Sequence, residues 1–312
     1  MRAIPVVDLR DYRSGSGAAR TRFVETFCSG LGEFGFTVVE GHGIDPELIR
    51  RAYAHFEAFF AQREESKREC SGVAGGQRGF TAFGIEHAKD QSQPDLKEFF
   101  HVGQEGVAGS EIPANIWPRQ LPDLRTDVLL LFRALEECSI QLLEILAEGL
   151  GLPREVFASM AGGGNSVLRA VHYPPVAEGE HTGCLRAAAH EDINLITLLC
   201  EASEAGLEIC PPGGDSSWLP VDVAPGQIVV DSGDMLSRLT NDVIPATTHR
   251  VVNPVGPANV ARYSLPFFAH PRSECDLTVL PAFVTDERPC RYAPITAAGY
   301  LAERLREIGL SP

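Results

Sequence analysis

The 312-residue chain contains no run approaching the roughly 18 apolar residues that a membrane-spanning helix needs. It is also short of basic residues, since 27 Lys and Arg against 42 Asp and Glu leave a formal charge of −15. A surface of that sign repels phosphate backbones and anionic lipid, which argues against nucleic acid and membrane as partners. The eight cysteines are scattered with no Cys-x-x-Cys pair. No disulfide framework is indicated, and a reducing cytoplasm is the simplest setting. The opening segment breaks its apolar character at Pro5 and Asp8, which does not fit a signal peptide. There is no Gly-x-Gly-x-x-Gly, no P-loop and no internal repeat, so nucleotide-binding folds lack an anchor.

What is present fits a globular protein. Apolar residues make up 44% and charged residues 22%, near the globular average, which excludes a disordered or fibrous chain. Ile4 to Leu9 reads as a short strand, and Ala18 to Leu31 as a helix with Phe23, Phe27 and Leu31 on one face. Phe36 to Glu40 is a β-branched strand closed by Gly41-His42-Gly43, where His42 reads as a turn residue. Asp45 and Pro46 form an N-cap and first-turn pair for a helix to about Gln62. Residues 63–120, with Gly72, Gly75, Gly76, Gly79 and Gly84, read as loops with short extended pieces rather than a second core. From Asp123, Leu124, Val128, Leu131, Leu135, Cys138, Leu142 and Ile145 recur at helical spacing until Gly149 and Gly151. Pro153 starts a shorter helix to about Met160.

From Asn165 the texture changes to short strand-like runs: 166–173, 193–200, 206–210, 218–221, 227–230, 249–252 and 262–268. Gly, Pro, Asn and Asp turns separate them, the pattern of a sandwich or barrel. The expectation is a mainly β protein with flanking helices in a single domain over 1–312. Residues 1–164 form its helical and mixed part, 165–280 its β-core and 281–312 a C-terminal segment.

Among nine histidines, His190-Glu191-Asp192 is the sharpest metal candidate, because residues i and i+2 of a strand share a face. Chance predicts about one His-x-Asp/Glu in a chain of this composition, so context has to decide. A second example, His55-Phe56-Glu57, falls in a helix, where i and i+2 diverge by about 200° and cannot easily grip one ion. Downstream, His249 opens another β-branched segment, and Arg262 and Ser264 share a face thirteen residues later. Two imidazoles and a carboxylate on one octahedral face leave three positions open, which suits non-haem Fe(II) and dioxygen. The planar fork of an arginine suits a carboxylate through two parallel charge-assisted hydrogen bonds.

The blocks His190-Glu-Asp-Ile-Asn-Leu-Ile-Thr-Leu-Leu199, Pro225-Gly226, Asp231-Ser-Gly-Asp-Met-Leu236, His249-Arg-Val-Val252 and Arg262-Tyr-Ser264, in that order, resemble the isopenicillin N synthase-like family of Fe(II)/2-oxoglutarate-dependent dioxygenases. The resemblance is strongest over residues 165–270. It implies a double-stranded β-helix (jelly-roll) core buttressed by helices. It implies Fe(II) held by His190, Asp192 and His249, and 2-oxoglutarate anchored by Arg262 and Ser264 with help from Tyr173. The activity implied is an O2-consuming oxidation, most often hydroxylation, of a small molecule, with release of succinate and carbon dioxide. Glu191 stands where the family usually has Thr, and it reads as solvent-facing.

Substrate-contact candidates are Arg78, Phe80, Phe99, Phe100 and His101 in the loops before the long helix, Arg186 ahead of the His-x-Asp pair, and Phe268 and Phe283 as apolar wall. Asn165 and Arg169 could reach the pocket, with loop and strand-pairing roles as the equal alternative. Some relatives keep the Arg-x-Ser pair yet bind a substrate carboxylate there instead of 2-oxoglutarate, so an oxidase of that type is an alternative. A non-catalytic binding module on the same scaffold is another. A zinc hydrolase lacks an assigned general base. Neither substrate identity nor oligomeric state is written in these motifs.

Overall fold

The computed structural model describes residues 3–71, 77–87, 93–105, 112–175, 183–213, 217–254 and 260–307. Gly72, Gly75 and Gly76 therefore lie outside the described residues. The N-terminal part runs β1 (Val6–Asp8), α1 (Leu9–Ser14), α2 (Gly17–Phe34), β2 (Phe36–Glu40), α3 (Pro46–Phe60), α4 (Glu64–Arg68), β3 (Gly79–Thr81), β4 (Glu98–Gly103), α5 (Pro122–Gly149) and α6 (Glu155–Ala161). The remainder runs β5 (Val167–Tyr173), β6 (Ala187–His190), β7 (Ile196–Cys200), β8 (Leu207–Ile209), β9 (Leu219–Pro220), β10 (Ile228–Ser232), α7 (Asp234–Leu239), β11 (His249–Val251), β12 (Arg262–Ser264), β13 (Pro266–Ala269) and α8 (Ala297–Glu307).

Local chemistry explains the element boundaries. The Asp45 carboxylate accepts from the Glu47 N–H at 2.9 Å with Pro46 in the first turn, so α3 starts where its cap dictates. Gly35 ends α2 with a left-handed φ of +67°, and a Cβ there would collide with the Thr247 hydroxyl. The apolar stripe of α5, from Leu124 through Ile145, is buried as its spacing predicts.

The strands form two sheets. The larger has the order β1-β2-β10-β7-β13-β5-β4-β3, with β12 also paired to β5, and the smaller the order β6-β11-β8-β9. Apart from the parallel β1–β2 pair, the ladders are antiparallel. One apolar cluster joins the large sheet to the helices, with Phe27, Phe132, Leu142, Leu198 and Phe267 among its members. A second, including Phe36, Tyr173, Ile209, Val229 and Val251, fills the space between the two sheets. This is the jelly-roll core with its helical buttress.

Three expectations need correction. Within 63–120, β4 is no loop: all six residues are buried and it pairs with β3 and β5 in the large sheet. Its sequence Glu-Phe-Phe-His-Val-Gly lacks alternation because both faces are covered, and the polar members have partners there: Glu98 meets Lys67 and His172. The run 262–268 is two strands, parted at Leu265, the second of which pairs with β7 as well as β5. Finally, the strand that carries His190, β6, ends at that residue, so Asp192 follows the strand instead of lying in it.

Candidate metal centre and its cavities

His190 and His249 reach the site as register partners on β6 and β11. Each ring is turned by its own backbone: His190 Nδ1 lies 2.7 Å from the Ala188 carbonyl, and His249 Nδ1 lies 3.1 Å from that of Thr247. A carbonyl can only accept, so these bonds assign the proton to Nδ1 and leave both Nε2 lone pairs free. Asp192 Oδ1 lies 3.9 Å from His190 Nε2 and 3.8 Å from His249 Nε2. One ligand atom from each of the three residues lies within 4.8 Å of the other two. Neutral imidazoles and a carboxylate, all facing one point, are a donor set that fits Fe(II).

The surroundings keep His190 and Asp192 in ligand form. Loss of solvent around the ring, then the charge of His249, hold the His190 pKa down at about 4. Burial pushes the Asp192 carboxyl upward, but His249, His190 and the Thr197 hydroxyl outweigh it and leave the pKa below the usual range. Thr197, on β7, donates to Asp192 Oδ2, while the Asp234 N–H donates to the Asp192 carbonyl at 2.7 Å. Phe36 packs edge-on against His249 with ring centroids 5.6 Å apart. Asp231 stands 3.7 Å from His249 Nδ1, with its pKa raised well above the usual range by burial and then by Asp192.

A cavity of about 80 Å³ opens beside these groups, and Tyr173, Arg262 and Ser264 also line it. Arg262 and Tyr173 are register partners on β12 and β5, with the guanidinium carbon 5.1 Å from the ring centroid. The Arg262 Nε donates to the Glu204 carbonyl at 2.9 Å, but its Nη1 is buried with no partner. A buried cationic donor without an acceptor is a cradle for a carboxylate. A second chamber of about 410 Å³ adjoins the first, sharing Lys97, Arg169, His190, Asp192 and Phe268 with it. Tyr300 and Arg304 of α8 also line this second chamber.

Residues 4–120 match the family described as non-haem dioxygenase in morphine synthesis N-terminal, and residues 164–271 match the 2OG-Fe(II) oxygenase superfamily. A crystal structure of a protein from Caulobacter crescentus, assigned to the 2OG-Fe(II) oxygenase family, superposes with a TM-score of 0.87 at 40% identity, covering 99% of this chain and 100% of that one. The 2-oxoglutarate-dependent dioxygenase caaD of Aspergillus niger is 30% identical, over 86% of this chain and 84% of its own. The chain belongs to the family of Fe(II)- and 2-oxoglutarate-dependent oxygenases. It is also similar to a full-length Neurospora crassa protein crystallised in complex with alpha-KG and thymine, at 27% identity and a TM-score of 0.87 over 97% of this chain and 96% of that one.

Within this oxygenase, the substrate-contact candidates separate. Phe268 lines both cavities, and His101 and Arg169 line the outer chamber. Arg78, Phe80 and Arg186 line neither. Arg78 bonds Asn165 at 2.8 Å and packs against Gly103; Phe80 packs on Phe59; Arg186 donates to the Val260 carbonyl. Phe99 lies beneath the Arg169 guanidinium, Phe100 packs on Phe59, and Phe283 sits in a 3-10 turn whose carbonyl accepts from Asn241. His42 is a turn residue, accepting from the Ile44 N–H at 3.1 Å, and His55 pairs with Asp127 instead of Glu57. Glu191 is exposed and accepts from the Thr248 hydroxyl. The sequence reading missed Lys97, Thr197, Asp231 and Tyr300. Thr197 offered one signal: it falls in a strand otherwise apolar from Leu195 to Cys200, where a hydroxyl needs a partner.

Proposed function

We propose that His190, Asp192 and His249 hold the iron, that Arg262, Ser264 and Tyr173 receive the distal carboxylate of 2-oxoglutarate, and that the outer chamber takes a small-molecule substrate for hydroxylation. The observation that carries this reading is the shared cavity: His190, Asp192 and His249, whose ligand atoms converge, line the same space as Arg262, which has a buried, unpartnered guanidinium nitrogen. The reading takes the chain as one catalytic domain, supported by α5 packing directly on β7 and β13 of the core.

Bound Fe(II), with 2-oxoglutarate and dioxygen, supplies the oxidation of a C–H bond coupled to decarboxylation of the co-substrate to succinate. The chain's own residues bind and orient. The Nδ1–H bonds to Ala188 and Thr247 fix the imidazole planes, and Thr197 fixes the carboxylate. Arg262 and Ser264 share a face of β12, so both can bond one carboxylate end and set its distance from the metal ligands. Lys97, Arg169 and Phe268 border both cavities and determine which part of a substrate faces the metal side.

The test is co-substrate turnover. Aerobic incubation with Fe(II), 2-oxoglutarate and a small-molecule library should give succinate in step with oxidised product. Oxidised product without succinate would instead support the oxidase in which a substrate carboxylate occupies the Arg262 site.

A further inference from the structure

The wall between the two cavities contains a packed ionic network. Lys97 Nζ lies 2.7 Å from Glu86 Oε1 and 2.7 Å from Asp95 Oδ2. Arg169 closes its fork on Glu86 at 3.0 and 3.2 Å and donates from Nε to His101 Nε2 at 2.6 Å. The second Asp95 oxygen accepts from the Ala188 N–H at 2.9 Å. Glu86, Asp95 and Lys97 are buried, and the Arg169 side chain is largely so. Two cations face two carboxylates, so the wall carries no net charge.

Every carboxylate oxygen already has a partner, while the cations keep unused N–H donors. Among the described residues, Lys97 engages two of its three N–H donors in these contacts and Arg169 three of its five. The wall therefore offers donors without offering positive charge. Lys97 and Arg169 line both cavities, and the Arg169 guanidinium lies 5.3 Å from the Phe268 ring centroid, so this donor surface stands at the passage between them.

Arg304, the other arginine lining the outer chamber, has its charge matched by an acid, although its Nε is buried without a hydrogen-bond partner among the described residues. Arg304 is paired with Glu307 at 2.7 Å, and Glu191 and Asp234 are acidic. His270 is neutral near pH 7, since loss of solvent holds it at about 4. A carboxylate at the passage would leave a buried net negative charge. An ammonium group would meet Lys97 and Arg169. A neutral oxygen acceptor takes the unused donors and leaves the charge balance unchanged.

We propose that the Glu86–Asp95–Lys97–Arg169 wall is the specificity element of the outer chamber, and that it selects an uncharged substrate with a carbonyl-type oxygen directed at the passage. This rests on the oxygenase reading above.

Three size-matched probes test it on the anaerobic protein loaded with Fe(II) and 2-oxoglutarate: 2-pyrrolidinone, cyclopentanecarboxylate and pyrrolidinium, with binding read by ligand-observed NMR. 2-Pyrrolidinone should bind about tenfold more tightly than either charged probe. The double variant Lys97→Met with Asp95→Asn removes one charge of each sign, and should lose about tenfold in 2-pyrrolidinone affinity. Glu86→Gln leaves the wall with one net positive charge and should strengthen cyclopentanecarboxylate binding. A charged probe that matches 2-pyrrolidinone on the unaltered protein overturns the proposal, and this comparison stands even if a variant does not fold. Unchanged 2-pyrrolidinone binding in the folded double variant also overturns it. Absence of a 2-oxoglutarate-dependent absorption band from the unaltered iron protein contradicts the oxygenase reading itself, a separate outcome from the probe ranking.

Discussion

His190 and His249 form a cross-strand pair, directly opposite one another on β6 and β11, with ring centroids 4.3 Å apart and each Nδ1 tied to the carbonyl two residues earlier. Residues opposite each other on an antiparallel ladder bring their Cβ atoms to about 5 Å. The ladder therefore sets the separation of the two Nε2 atoms, and the backbone bonds set their direction. Asp192 completes the set from just past the end of β6.

Removing one member of that pair should abolish metal binding without unfolding the protein. His249→Ala deletes a side chain that touches the site and Phe36 but carries little of the core. Anaerobic iron titration should show loss of stoichiometric binding, with the far-UV circular dichroism spectrum retained. Full turnover by this variant would count against the assignment.

Thr197→Val tests the support of the carboxylate. It keeps the shape of the side chain and removes the donor to Asp192 Oδ2. Iron affinity should fall about 10- to 100-fold, the usual cost of losing a hydrogen bond to a ligand. An unchanged dissociation constant would show that Asp192 is oriented by other means.

Arg262→Gln tests the carboxylate cradle. The amide retains some hydrogen bonding but loses the charge, so KM for 2-oxoglutarate should rise about 10- to 100-fold, the worth of a charge-assisted hydrogen bond. Steady-state succinate formation reads this directly. An unaltered KM would place the co-substrate elsewhere.

Much of the site was legible because its chemistry is local in sequence. His190-x-Asp192 and Arg262-x-Ser264 each put two functional groups two residues apart in the chain, and the block order supplied His249. Lys97 and Arg169 were harder to read. Their significance comes from Glu86 and Asp95, which reach them across loop and strand, and an isolated Lys or Arg in sequence looks solvated. β4 was hidden for a related reason, since a buried ion pair at Glu98 and a hydrogen bond at His101 let both sit in a fully covered strand and erase the alternation that marks one. Arg78 and Arg186 show the converse: both are arginines read as substrate-contact candidates, yet their guanidinium groups serve as packing, bonded to Asn165 and to the Val260 carbonyl.

Acid should destabilise the fold through His270. Loss of solvent holds its pKa at about 4 in the folded chain, against 6.5 ordinarily. Between those values the unfolded chain binds the additional proton, so stability falls as pH drops from about 6.5 to 4 and is unaffected by this group above 6.5. His270→Gln should make stability less steeply dependent on pH in that window, by at most about 1.4 kcal/mol per pH unit. Urea midpoints measured at several pH values check it. An identical slope in the variant would mean that His270 is not held neutral by the fold.

The most direct test of the central claim is an anaerobic titration of the protein with Fe(II), followed by 2-oxoglutarate, monitored by visible absorption. One iron per chain should bind, and an absorption band should appear only when 2-oxoglutarate is added. The band should be absent from Asp192→Ala. A band that survives in that variant, or none in the unaltered protein, would contradict a single iron held jointly by His190, Asp192 and His249.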